Sequence, residues 1–265
     1  MMGSPPPSQI AKKFMSRLGI TSATGDDQRA GNVLDYVRNL LGTHERDPDV
    51  HGLSSINEQL SGLALANARL AFIEATRTST VVSSSTFTGA DRALAGYAAE
   101  VGGQVWAALF GLSASITGNK VTSASGSGYN ILPATVADGV VSMNFTLAPN
   151  GAASDVSLYF RFDDSSNYGL FAQRGTGVLN LIRQLGGPTQ IIASLNIPNA
   201  LNGASALPEN LALYGSGKNI IVVLNGTPVY AWTENFVPAT IAKHGLRLSA
   251  GCVIPKFRVL SGGTL

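Results

Sequence analysis

The sequence predicts a mainly β protein: a C-terminal antiparallel β-sandwich, preceded by an α-helical N-terminal region that ends in a short coiled coil. Three observations carry this expectation. The 265 residues include 30 Gly and only 7% aromatics, a composition that favours short strands joined by tight turns. The hydrophobic spacing is helical up to about residue 77 and alternates with a period of two beyond it. Charge thins at the same place: residues 1–82 hold eight basic and eight acidic side chains, against ten and eight in residues 83–265. The boundary is therefore set between 82 and 83, with a helical attachment and oligomerisation region before it and the sandwich after it.

In the first region Ile10, Phe14 and Leu18 recur every four residues, and Val33, Tyr36, Val37, Leu40 and Leu41 form one helical face. Gly19 and Gly42 follow them where a left-handed C-cap is wanted, and Asp26 and Asp27 suit the N-terminus of the second helix. A third helix is expected from Ser54 or Ser55 to Arg77, with Ser55 and Glu58 forming a capping box. Leu53, Ile56, Leu60, Leu63, Asn67, Leu70 and Glu74 follow a 3,4 spacing that makes a coiled-coil seam. Self-association, most simply as a homotrimer, would run through Ile56, Leu60, Leu63, Asn67 and Leu70, with Asn67 setting the register. In the competing arrangement the stripe packs on the two earlier helices, a reading that Gly62, Leu65 and Phe72 favour. Residues 79–85 are small, polar and β-branched, and are expected to be an extended connector.

Beyond the connector, Val141, Met143, Phe145 and Leu147 alternate with Val140, Ser142, Asn144 and Thr146. Val156, Leu158 and Phe160 likewise oppose Ser157, Tyr159 and Arg161. Further strands are expected at 178–185, 190–195, 211–214, 220–224, 229–233, 245–249 and 256–260, about a dozen in all. Asn225-Gly226, between two apolar runs, is the strongest hairpin signal, since both central residues of a type I′ turn need positive φ. Asp163 to Asn167 and Ser216 to Asn219 read as longer turns. No alternation with helices supports a parallel sheet.

A net charge of +2 is too small and dispersed for a nucleic-acid binder. Cys252 is the sole cysteine, so no intrachain disulfide is expected. The opening Met-Met-Gly-Ser-Pro-Pro-Pro carries no apolar run of the signal-peptide kind, which points to synthesis in a cytosol. The longest charge-free stretches are broken by Gly, Ser, Asn and Pro, so membrane insertion is not expected.

From Phe87 to Val121 the chain reads "FTGADRALAGYAAEVGGQVWAALFGLSASITGNKV". Phe87, Gly89, Ala90, Asp91, Gly102, Gly103, Trp106, Ile116, Gly118 and Asn119 resemble the opening of laminin G-like, concanavalin-type jelly-roll modules. The hairpin "VSLYFRFDDSSNYGLFAQ" and the ending "HGLRLSAGCVIPKFRVL" are similar to such modules as well, and the resemblance spans about 86 to 260. Modules of this kind bind glycans, cleave them, or build virion and cell-surface appendages. With the helices and seam in front, the whole is similar in architecture to a bacteriophage fibre or decoration protein. That resemblance implies a virion protein made in the host cytoplasm, docked on other virion proteins through residues 1–82 and projecting the jelly roll. A host-surface glycan adhesin is the alternative role.

Chemistry-bearing motifs are sparse. A glycosidase needs two carboxylates flanking the scissile bond, and no Glu-x-Asp-x-Glu run exists, so no enzymatic activity is expected. His44, His51 and His244 are too scattered for a metal site, and neither a metal nor a cofactor is expected. Gly215-Ser216-Gly217-Lys218 lacks the first Gly and the Ser or Thr of a phosphate loop and reads as a hairpin turn. The remaining candidate is the turn bearing Asp163, Asp164, Asn167 and Tyr168, whose oxygens could hold calcium or a sugar and whose ring could stack on a sugar face; Asp, Ser and Asn are also the commonest turn formers, which favours a plain loop. Trp232 is a further candidate for stacking on a glycan, whereas Trp106 and Cys252 are expected in the core.

Overall fold

A computed structural model describes residues 66–262 apart from 111, 125–126, 149–153, 164–167, 199–200 and 203–204. The chain divides into two units, Met1–Leu63 and Ala64–Leu265, and every described residue belongs to the second. Among the described residues no helix is long and apolar enough to cross a membrane.

Two antiparallel sheets face each other, as the period of two predicts. The larger holds nine strands. Its path runs β16 (Thr227–Thr233), β15 (Asn219–Leu224), β14 (Glu209–Ser216), β7 (Gly139–Thr146) and β18 (Val253–Ser261), then the short β5 (Val121–Thr122), β4 (Ser115–Ile116) and β2 (Arg92–Ala93). β1 (Val81–Ser85) also pairs with β18. The second sheet runs β11 (Thr189–Asn196), β10 (Val178–Leu185), β9 (Tyr168–Gly175), β8 (Asp155–Asp163), β17 (Lys243–Ser249), β6 (Ser127–Pro133) and β3 (Ala107–Ala108). A two-residue pair, β12 (Leu201–Asn202) and β13 (Ser205–Ala206), stands apart. Twelve of these strands have five residues or more.

The core lies between the sheets. β7 contributes Val141, Met143 and Phe145, β8 contributes Val156, Leu158 and Phe160, and Leu213, Val222, Leu246 and Phe257 close on them. Trp106 is buried there, its ring edge-on to Phe257 at 4.9 Å and its Nε1–H donating to Ser85 Oγ at 3.1 Å. Cys252 is buried in the same core. At the hairpin between β15 and β16, Asn225 and Gly226 take φ of 51° and 76°, the pair of positive values that a type I′ turn requires. Ser216 to Asn219 form the turn between β14 and β15, which places the Gly-Ser-Gly-Lys string in a hairpin.

Two expectations are corrected. Residues 81–85 are not a connector but strand β1, with Ser83 and Ser85 fully buried; small β-branched and hydroxylated residues fit a pleated surface as well as a linker. The alternation along β8 breaks after Phe160, where a bulge puts Arg161 at φ 49° and turns its guanidinium to the end of the sandwich. The helix α1 (described over 66–78) lies on the outer face of the nine-stranded sheet through Ala68, Ala71, Phe72 and Ala75, against Val140, Ala212, Tyr214, Ile221 and Val223. The seam positions Asn67 and Leu70 turn away and are exposed. Small side chains on the 68/71/75 face let the helix backbone come close to the sheet, which the leucine face could not do. The other seam positions, Ile56, Leu60 and Leu63, lie outside the described residues.

Candidate functional site

Strand alternation gives the seven-stranded sheet an outer face opposite the core, and the register lines its side chains up in rows. Arg247 pairs with Tyr129 and with Ser157, Ser157 with Gln173, Gln173 with Asn180, and Asn180 with Ser194. This polar row crosses six strands, from β6 through β17, β8, β9 and β10 to β11. Two residues along, an apolar row runs beside it: Ile131, Gly245, Tyr159, Phe171, Ile182 and Ile191. Gly245 is required in that row because a Cβ would meet Asn130 O at 2.4 Å.

Asp155 organises the row. Its Oδ2 accepts close hydrogen bonds from Gln173 Nε2 and from Arg247, and Arg247 also donates to Ser127 Oγ at 3.1 Å. The Arg247 guanidinium lies over the Tyr129 ring, 5.3 Å from its centre. Burial lowers the guanidinium's pKa, but the charge of Asp155 and the bonds to Asp155 and Tyr129 more than reverse this, leaving it above its ordinary value. At the far end Asn180 Oδ1 accepts from Ser194 Oγ at 2.8 Å. Between these anchors an open depression of about 390 Å³ is lined by Ser154, Asp155, Gln173, Gly175, Thr176, Val178 and Asn180. The aromatic neighbours pack at an angle to one another: Tyr159 is 4.8 Å from Phe162, edge to face, and 5.1 Å from Phe171, tilted.

Of the sequence-predicted site residues, Asp163 and Trp232 fall elsewhere. Asp163 ends β8, pairs with Tyr168 across the hairpin and lies 3.5 Å from Lys243 Nζ. Asp164 and Asn167 lie outside the described residues, as does the side chain of Tyr168. Trp232 is half-buried on edge strand β16 of the other sheet and packs toward the core, its Nε1–H donating to Glu234 Oε2 at 3.2 Å. Burial raises the Glu234 carboxyl's pKa, but amide hydrogen bonds from Phe236 and Val237, the Trp232 bond and Arg183 bring it below the ordinary value. That residue thus clamps β10 to the segment after β16 rather than meeting a ligand. Among the described residues no group of three His, Cys, Asp or Glu side chains could hold a metal ion.

No protein-family model matches this sequence, and no curated protein matches it. Among solved structures it is similar to the carbohydrate-binding module CBM66 from Bacillus subtilis, with 16% identity over 68% of this chain and 98% of that one, at a TM-score of 0.44. It is also similar to the exoplasmic/lumenal domain of VIP36 in a Ca²⁺/Man3GlcNAc-bound form, with 11% identity, 61% and 86% coverage and a TM-score of 0.48. A third, a Bacillus licheniformis β-glucanase, has 12% identity, 68% and 97% coverage and a TM-score of 0.42.

Asp155, Gln173, Asn180 and Arg247 were not singled out by sequence reasoning. Each is the polar member of an alternating strand, which by itself reads only as a solvated face. Their convergence depends on strands up to 92 residues apart in the chain, as the Arg247–Asp155 pair shows.

Proposed function

We propose that the sandwich is a glycan-binding domain whose ligand lies on the outer face of the seven-stranded sheet, over the depression between Asp155 and Asn180. The observation that carries this reading is the Asp155–Gln173–Arg247 network: half-buried polar side chains held in place at an open depression, as the hydroxyl edges of a sugar require. Asp155 Oδ1 and Gln173 Oε1 accept hydroxyl protons, and Asn180 Nδ2 donates. The glycan is neutral, because the one cation in the row, Arg247, is already matched by Asp155.

The site binds and does not hydrolyse. Of the residues lining the depression only Asp155 is a carboxylate. Asp163 is eight residues further along the strand, roughly 26 Å at 3.3 Å per residue, too far for a glycosidase pair. This reading takes the second of the roles implied by the resemblance, a surface adhesin, over a fibre without a ligand, since a purely structural face has no use for a polar network fixed at the edge of an open depression.

The test is a glycan array with the intact chain, followed by calorimetry on the tightest neutral binder. Gln173→Ala together with Asn180→Ala should weaken binding about tenfold, the loss of two hydrogen bonds worth about 0.5–1 kcal/mol each, with an unchanged unfolding midpoint. Absence of neutral glycans from the array hits, or full affinity in the double variant, would overturn the reading.

A further inference from the structure

Phe110 combines a left-handed backbone conformation with a half-exposed aromatic ring. Five non-glycine residues among those described have positive φ: Phe87, Phe110, Asn119, Arg161 and Asn225. Asn tolerates the left-handed region through its short polar side chain. Phe87 is fully buried, its ring 6.1 Å and 6.2 Å from those of Tyr97 and Trp106. Arg161 is fully buried and donates to Ala137 O and Gly217 O. Phe110, at φ 56°, is 52% exposed. It sits in a tight turn in which the Leu112 N–H donates to Leu109 O at 3.1 Å, a place where Asn, Asp or Gly would hold the same backbone without strain. A bulky aromatic kept there and half in solvent points to a role for its ring.

The ring's position says which role. Phe110 meets Tyr129 at 5.7 Å and Phe162 at 6.5 Å, both edge to face. Tyr129 is also the first member of the polar row, carrying Arg247 on its ring. The aromatic pair is therefore continuous with the row that leads to the depression. At about 4.8 Å between strands, Gln173 lies roughly 14 Å from Tyr129, three strands across. A single sugar cannot reach both; an extended chain crossing the strands can.

We propose that Phe110 and Tyr129 form a stacking platform for a distal ring of the bound glycan, so that the ligand is an extended neutral oligosaccharide and not a terminal mono- or disaccharide. This inference rests on the glycan-binding reading of the row. The apolar face of a pyranose ring covers the exposed side of Phe110, and the backbone strain is retained because Asn or Gly would offer no ring.

Calorimetry of the intact chain with cello-, malto-, xylo- and manno-oligosaccharides of two to six units tests this. In the series that binds best, affinity should rise at least tenfold from the disaccharide to the hexasaccharide. Phe110→Asn should remove that rise, costing about tenfold on the hexasaccharide and under twofold on the disaccharide. The same variant should keep the far-ultraviolet circular dichroism of the parent and a single cooperative melt, so a lost rise cannot be blamed on misfolding. Short and long chains bound equally well, or a Phe110→Asn variant that keeps the hexasaccharide affinity, would overturn the platform while leaving the binding face in place. A chain that binds no member of any series would overturn both.

Discussion

Among the described residues two arginines are fully buried, at opposite ends of the sandwich, and they show what single residues contribute here. Arg174 makes a two-pronged pair with Glu209, at 3.0 and 3.1 Å, and spends its remaining donors on the carbonyls of Gly175, Val178, Ile197 and Pro198. Arg161 reaches Ala137 O at 3.1 Å and Gly217 O at 2.6 Å, with Asp138 as its ion partner. Breaking one member of a buried pair strands the other charge. Glu209→Gln should therefore cost about 3–5 kcal/mol in urea unfolding, whereas Asp163→Asn, at the half-exposed pair with Lys243, should cost under about 1 kcal/mol. His244 adds a pH dependence. Its ring stacks on Phe160, Nδ1 accepts the Arg161 N–H, and Nε2 faces Val136 O at 3.0 Å, a pattern that only the neutral ring satisfies. Burial first, then the charge of Arg161, pull its pKa down to about 4, against the opposing Val136 bond. The unfolded chain protonates this group near 6.5, so between pH 6.5 and 4 it binds more protons than the folded one. Stability should be unaffected by His244 above about pH 7 and fall by about 1.4 kcal/mol per unit below 6.5, toward a loss of about 3 kcal/mol. The difference in unfolding free energy between pH 7 and pH 4.5 should shrink by most of that amount in His244→Gln.

At the scale of elements, the helix and the tight turns decide what the strands can do. α1 uses alanines where a free-standing amphipathic helix would use leucines, because its partner is a sheet already filled by Tyr214 and Val223. Ala75→Asp puts a charge into that contact and should destabilise the protein by about 2–4 kcal/mol. Arg69→Ala, at an exposed position off the seam, should stay within about 0.5 kcal/mol. Thermal unfolding of the two variants separates the faces; equal effects would mean that the docking face is misassigned. The β15–β16 hairpin depends on Gly226 at φ 76°, and Gly226→Ala should cost about 1–2 kcal/mol.

For the whole molecule, the open question is association. Leu70 and Ile73 are 67% and 48% exposed on α1, and Leu70 belongs to the 3,4 seam that starts at Leu53. A seam of this kind is not stable in water as a lone helix face. The full chain should therefore scatter light as a homo-oligomer, most simply a trimer, and Leu70→Glu should lower its mass at equal concentration. A monomeric mass at micromolar concentration would remove the seam. If the trimer holds, three copies of a weak glycan site act together, and binding to a surface should exceed that of one site by the effective concentration of the linked copies.

The sequence by itself determined the class and the strand inventory. Period-two alternation in 140–147 and 178–185 and the Asn225-Gly226 turn are local properties of the chain, set by pleat geometry and backbone sterics, and each reappears where the residues placed it. Trp106 and Cys252 were legible as core for the same reason: burial of apolar volume needs no knowledge of the partner. The tertiary structure alone decided which polar residues meet. Asp155, Gln173, Asn180 and Arg247 stand on four strands, and only the order β10-β9-β8-β17 brings them together on one face. It also decided which face of α1 is buried, since periodicity shows that a helix has two faces but not how closely a sheet must approach one of them. Strand order and approach distance are set by contacts between residues far apart in the chain, and no local spacing encodes them.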